Sequence, residues 1–242
     1  GVGVDNIDVE AATERGIPVV YAPTGATISV AELTFAHMLA LARHIPAADA
    51  SMREGRWAKK ELKGTELHGK TLGLIGVGRI GRAVAERAVA FGMEVIAYDP
   101  FLTEEQIAGC HARKVELDDV IEGADFISLH LPLTPETKGL IGEEELGRMK
   151  PTAYLINCSR GGIVDEEALV RAVEAGKIAG AGLDVYGSEP PEGDILRMPN
   201  SVLTPHLGAS TVEGQARAGR IVAEQVLMVL RGERAQFRVN RP

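Results

Sequence analysis

From Thr71 onward, short apolar runs alternate with longer stretches in which apolar residues recur every three or four positions, and Gly, Pro, Asp or Asn mark the joints. Runs of three to six residues between turn formers read as strands buried on both faces, and the periodic stretches between them as helices that cover those faces. The pattern predicts strands over Thr71–Ile75, Glu94–Tyr98, Phe126–Leu129, Ala153–Asn157, Ala179–Asp184 and Ser201–Leu203. It predicts helices over Arg79–Phe91, Asp118–Glu122, Glu143–Met149, Asp165–Ala175 and Thr211–Arg231. A doubly wound parallel sheet, an α/β fold of the Rossmann type, satisfies such an alternation.

Upstream, Ser29-Val30-Ala31-Glu32 reads as a capping box and predicts a helix starting there. Its residues Leu33, Phe35, Ala36, Met38, Leu39 and Leu41 are apolar on nearly every side, so the helix should be buried between two layers or two chains. Pro46 predicts a restart, with a second helix running toward Arg56. Before them lie a small helix signal, Val9–Arg15, and an extended one, Ile17–Tyr21, with no evident partner in the chain.

Composition narrows the function classes. Among 242 residues, 26 Lys and Arg face 34 Asp and Glu, a formal charge of −8 that argues against a nucleic-acid binder. The longest apolar stretch, Leu33 to Ala42, is broken by His37 and falls short of the ~18 residues expected of a spanning helix, so no membrane partner is expected. The chain opens Gly1-Val2-Gly3-Val4-Asp5-Asn6, without Met or a signal peptide, and reads as the interior of a longer polypeptide. Two cysteines, Cys110 and Cys158, make no disulfide framework, which points to a reducing, cytoplasmic setting. His37 and His44 lie seven apart without a Cys or carboxylate at ligand spacing, so no metal site is expected.

Chemistry enters at Gly76-Val77-Gly78-Arg79-Ile80-Gly81, directly after one predicted strand and opening a helix. In that context Gly76 permits the tight turn, Gly78 lets a pyrophosphate approach the backbone, and Gly81 lets helix and strand pack closely. Asp99 ends the next strand, eighteen residues past Gly81, near the ~20 expected of an acid that binds ribose hydroxyls. A carboxylate there repels the extra phosphate of NADP, so NAD is the expected cofactor.

Four further segments follow in order: His130-Leu131-Pro132-Leu133-Thr134, Asn157 through Glu166, Gly182-Leu183-Asp184-Val185-Tyr186 with Glu189-Pro190, and Thr204-Pro205-His206-Leu207-Gly208-Ala209-Ser210-Thr211. Together with the glycine motif they resemble the D-isomer-specific 2-hydroxyacid dehydrogenases, over essentially the whole chain. The motifs are most similar to those of members acting on 3-phosphoglycerate, with glyoxylate or hydroxypyruvate reductases and an NAD-sensing corepressor as the alternatives. Formate-type members carry Gln where Glu189 stands, which argues against them.

The resemblance implies a catalytic trio of Arg160, Glu189 and His206. Reducing a 2-oxo acid takes a hydride, a proton and a cation for the carboxylate. Histidine exchanges the proton near neutrality, a carboxylate orients the imidazole, and the guanidinium fork grips the acid. The resemblance also carries cofactor contacts onto Val2, Arg79, Ile80, Asp99, Leu131, Cys158, Ser159, Arg160, Asp184, His206, Leu207, Gly208 and Ala209. Asp184 would hold the nicotinamide carboxamide, and Cys158 would pack beside the cofactor rather than act as a nucleophile.

Family members carry a second, substrate-binding domain built mostly from residues that would precede Gly1. Residues 1–25 are therefore read as its remnant, 26–232 as the dinucleotide-binding domain, and 233–242 as the returning segment. Residues 27–60, with Met52 and the single tryptophan Trp57, lie where the family embraces a second subunit, and a homodimer is expected.

Overall fold

The computed structural model describes residues 3, 4 and 6–240. In chain order its elements are α1 (Val9–Glu14), α2 (Thr27–Ala42), α3 (Ile45–Arg53), β1 (Thr71–Ile75), α4 (Arg79–Ala90), β2 (Glu94–Tyr98), α5 (Glu104–Ala108), β3 (Arg113–Lys114), α6 (Leu117–Gly123) and β4 (Phe126–Leu129). There follow α7 (Glu143–Arg148), β5 (Tyr154–Asn157), α8 (Glu166–Glu174), β6 (Gly180–Leu183), a 3-10 turn (Gly193–Arg197), β7 (Ser201–Leu203) and α9 (Val212–Leu230). They form two compact units, residues 31–206 and residues 1–30 with 207–242.

The 31–206 unit holds a seven-stranded sheet in the order β3-β2-β1-β4-β5-β6-β7. Every pairing is parallel. The central strands are buried along nearly their whole length, which is why they read as unbroken apolar runs. α4 covers the sheet with Gly81, Val84, Ala85 and Ala88, one face at three- and four-residue spacing. The core below includes Ile75, Ile127, Leu129, Ile141, Leu146 and Leu155, all with no exposed surface. Each such side chain contributes about 1.5–3 kcal/mol by burial.

Two elements of this unit were not among those expected. β3 escaped the reading of the sequence because it is a two-residue edge strand of Arg113 and Lys114, paired only with β2. α5 escaped because it is one short turn, held by a capping box in which Thr103 accepts from Gln106 N and the Gln106 side chain accepts from Thr103 N.

α2 starts at Thr27 rather than at Ser29, with Val30 N donating to Ala26 O at 2.9 Å. Ser29 is no cap: its hydroxyl is spent on the Thr211 hydroxyl, 2.7 Å away. Thr211 itself is the N-cap of α9, accepting from Gly214 N at 3.0 Å.

The extended segment near Ile17 does have a partner. Val20 forms an antiparallel bridge with Arg238, flanked by Tyr21 N to Phe237 O and Val239 N to Val19 O. Asn240 closes the arrangement: its Oδ1 accepts from Val19 N at 2.7 Å, and its Nδ2 donates to Thr13 Oγ1 and Ile17 O.

Candidate active site

A parallel sheet brings the carboxyl ends of all its strands to one edge, and the order reverses between β1 and β4, where such folds open a crevice for ligands. The sequence motifs end these strands one by one. Gly76 follows β1, Asp99 follows β2, His130 and Leu131 follow β4, Cys158 through Arg160 follow β5, and Asp184 follows β6. Thr204 through His206 follow β7.

Gly76 sits at φ 93°, and its N–H bonds Tyr98 O at 2.9 Å, so the turn leaves β1 sharply. A Cβ there would strike the His130 carbonyl oxygen, and one on Gly81 would strike Gly76 O. Gly78, exposed at the N-cap of α4, differs: a Cβ there would meet nothing within 4 Å. The protein's own packing does not require that glycine, and the bare backbone leaves the uncapped first turn of α4 open to an anion. Arg79 and Ile80 open that turn, and Leu131 lies against the Gly76 turn. Asp99 accepts from Val77 N at 2.9 Å through Oδ2 and from Phe101 N at 3.0 Å through Oδ1. Each oxygen retains a second lone pair for a ribose hydroxyl. The chemistry of these residues fits the pyrophosphate and ribose of NAD.

On the other half of the edge, Asn157 organises the turn that carries Arg160. Its Oδ1 accepts from Ser159 N and Oγ at 3.0 and 2.8 Å, while its Nδ2 donates to Arg160 O at 2.9 Å. Arg160 Nη1 in turn donates to Ser159 O at 2.7 Å. Burial, with Asp184 nearby, pushes the Cys158 thiol up to about 12, which favours the protonated thiol near neutral pH.

Glu189 and His206 meet. Both carboxylate oxygens lie within hydrogen-bond reach of His206 Nδ1, at 3.0 and 2.8 Å. A carboxylate only accepts, so Nδ1 carries the hydrogen and the lone pair of the neutral ring is on Nε2. His206 holds φ at 53°, uncommon for a residue with a Cβ, in a tight turn where its N–H bonds Thr204 O at 3.0 Å. Tyr186 ties these loops together, its hydroxyl 3.2 Å from Leu183 O and 3.0 Å from Thr204 O.

Three polar groups at this edge went unassigned in the sequence. Asn157 is one, and Tyr186 is another. The third is His130, whose Nε2 pairs with Ser128 Oγ at 2.9 Å. Burial lowers its imidazole to about 4, so the ring packs beside the glycine turn in its neutral form. Nothing in the sequence marks these pairings, which depend on the path the chain takes as it leaves each strand.

Leu207, Gly208 and Ala209 fall in the 1–30 and 207–242 unit, where Ser210 N bonds Leu207 O and Thr211 N bonds Ala209 O. Val2 lies outside the described residues. Among the described residues no cluster of three or more His, Cys, Asp or Glu could hold a metal ion, and no helix is long and apolar enough to cross a membrane.

The family model for the D-isomer specific 2-hydroxyacid dehydrogenase, NAD binding domain, matches residues 35–208. The chain belongs to this dehydrogenase family. NAD is thus the cofactor of this domain. The chain is 54% identical over its whole length to the D-3-phosphoglycerate dehydrogenases of Methanocaldococcus jannaschii and Synechocystis, spanning 47% and 44% of those proteins. It thus spans about half the length of the curated relatives it matches. Among solved structures, a glyoxylate reductase from Paecilomyes thermophila is 39% identical with a TM-score of 0.91, covering 99% of this chain and 73% of that one. A D-lactate dehydrogenase from Aquifex aeolicus, complexed with NAD and lactic acid, is 33% identical with a TM-score of 0.90, covering 100% and 79%.

Proposed function

We propose that this chain is the cofactor-binding part of an NAD-dependent dehydrogenase that moves a hydride between nicotinamide and a D-2-hydroxy acid. We take the acid to be 3-phosphoglycerate, oxidised to 3-phosphohydroxypyruvate for serine synthesis. The observation that carries the reading is the His206–Glu189 pair, an oriented imidazole at the same sheet edge as the glycine turn. The choice of acid is supported by likeness to D-3-phosphoglycerate dehydrogenases at 54% identity, and the glyoxylate reductase likeness keeps hydroxypyruvate and glyoxylate as the second reading.

Bound NAD(H) supplies or takes the hydride. His206 Nε2 gives the proton to the carbonyl oxygen in reduction and takes it from the hydroxyl in oxidation, while Glu189 holds the ring from the other nitrogen. Arg160 grips the carboxylate of the acid through its planar donor fork. Asp99 accepts from the adenosine ribose, and Asp184 accepts from the nicotinamide carboxamide.

Turnover by the intact protein on a panel of 3-phosphoglycerate, glycerate, glyoxylate and D-lactate tests this reading. Oxidation of 3-phosphoglycerate with NAD well ahead of NADP is expected, and Asp99→Ala should weaken NADH about tenfold while narrowing the gap to NADPH. NADH binding without turnover of any acid would replace the enzyme by an NAD-sensing binding module.

Residues 1–25 and 233–242 fit a remnant of the family's second domain, a reading supported by the Val20–Arg238 bridge. A homodimer through residues 27–60 is supported by the exposure of Met52 at 56% and Trp57 at 78%, large apolar surfaces that a second chain would cover. Light scattering should give twice 25.7 kDa, and a mass of one chain at every dilution would reject the dimer.

A further inference from the structure

α2 lies against the sheet, and two of its polar residues are buried one turn apart. Thr34, with no exposed surface, lies by the Cys158 thiol just past the end of β5. His37, 1% exposed, occupies the space that Gly182 leaves on β6: a Cβ on that glycine would come within 2.7 Å of His37 Nδ1. His37 Nε2 lies 3.0 Å from Thr204 Oγ1, and that hydroxyl donates to Asp184 Oδ1 at 2.6 Å. Asp184 has no exposed surface.

The chain of bonds has one consistent direction. Thr204 owns a single hydroxyl hydrogen, and the Asp184 carboxylate takes it. Thr204 Oγ1 must therefore accept from His37, which fixes the hydrogen on Nε2. His37 Nδ1, buried and without a hydrogen-bond partner among the described residues, is then a bare lone pair. A hydrogen there would be a stranded donor. Burial lowers the His37 imidazole below its ordinary value against the opposing pull of Asp184, in keeping with a neutral ring.

We propose that His37 is a positioning residue for the cofactor: through Thr204 it aims the Asp184 carboxylate at the nicotinamide half of the site. The proposal rests on the reading of Asp184 as the acceptor for the nicotinamide carboxamide. Without the imidazole the Thr204 hydroxyl keeps its acceptor but loses the donor that holds it from behind, and the Thr204–Asp184 bond is then less firmly placed. The adenosine half of the site, at Asp99 and the glycine turn, follows β2 and β1, which β4 and β5 separate from β6 and β7.

The test compares NADH with ADP-ribose, which lacks nicotinamide, by calorimetry on the intact protein. Unsubstituted protein should bind NADH more tightly than ADP-ribose. His37→Leu should weaken NADH about 3- to 10-fold while leaving ADP-ribose within about twofold, and His37→Gln, whose amide can donate from the position of Nε2, should restore NADH. Equal weakening of both ligands, or no change in either, overturns the role of His37 and leaves the cofactor reading intact. If the unsubstituted protein binds the two ligands equally, the nicotinamide reading of Asp184 fails, and the role of His37 falls with it.

Thr204→Val breaks the same link from the other side and should reproduce the split should His37→Leu fail to fold. Nitrogen-15 spectra of the unsubstituted protein supply a readout independent of any variant. A neutral Nε2–H tautomer at pH 7 is required, and an Nδ1–H or doubly protonated ring overturns the proposal.

Discussion

Replacing His206 with alanine in the intact protein should lower turnover by ~10²–10⁴ while NADH affinity changes little. The expectation follows from the geometry of the pair. Glu189 holds His206 through Nδ1 at 2.8 Å, which presents Nε2 as the only ring position for proton exchange. Alanine removes the exchanging atom and leaves the glycine turn and Asp99 as they were. Glu189→Ala should cost less, because the imidazole survives without its orientation. Steady-state kinetics beside a fluorescence titration of NADH separates chemistry from binding. Unchanged turnover in His206→Ala would remove this residue from the mechanism.

The second large effect is expected at Gly161, where a Cβ would overlap the carbonyl oxygen and carbon of Tyr186. Both partners are backbone, so no side-chain rotation relieves the clash. Gly161→Ala must push the Arg160 turn away from the Tyr186 loop, and that loop carries the contacts to Thr204 and leads into Glu189. Overpacking against backbone costs about 1–3 kcal/mol, and a displacement of ~1 Å at a catalytic group costs about 10²-fold in rate. We expect a Tm lower by roughly 2–10 °C together with that loss in kcat/KM. Gly147→Ala is the matched control: it lies in α7 with nothing within 4 Å of the added Cβ, and it should leave turnover unchanged with a slight gain in Tm. If Gly161→Ala melted and turned over like Gly147→Ala, the interlock between the two loops would be discarded.

Much of the architecture is legible in the sequence. Thr71–Ile75, Glu94–Tyr98 and Phe126–Leu129 form strands with the expected bounds, because strands covered on both faces must be apolar almost throughout, and the half-buried edge strand Ser201–Leu203 also keeps its expected bounds. The position of the site residues was legible for a related reason. In an all-parallel sheet every strand delivers its last residue to one edge, so motifs written at strand ends in the sequence converge in space. The capping box at Ser29 misled because a side chain that can bond its own helix start can equally bond a hydroxyl far along the chain, and Thr211 was there to receive it. β3 carried no signal, since a two-residue charged edge strand has neither apolar content nor length.

What only the tertiary structure decided is which polar groups are paired across long separations. The partner of Val19 is Asn240, and the donor behind the Thr204–Asp184 bond is His37. By periodicity alone His37 is an interruption in an apolar helix. Its meaning depends on a glycine in β6 that leaves room for the ring and on a threonine at the end of β7 that accepts from it. Local sequence dictates helix, strand and turn because those depend on neighbours along the chain. A buried hydrogen bond depends on which strand lies next to which and how deep a helix sits, quantities set by the packing of the whole sheet.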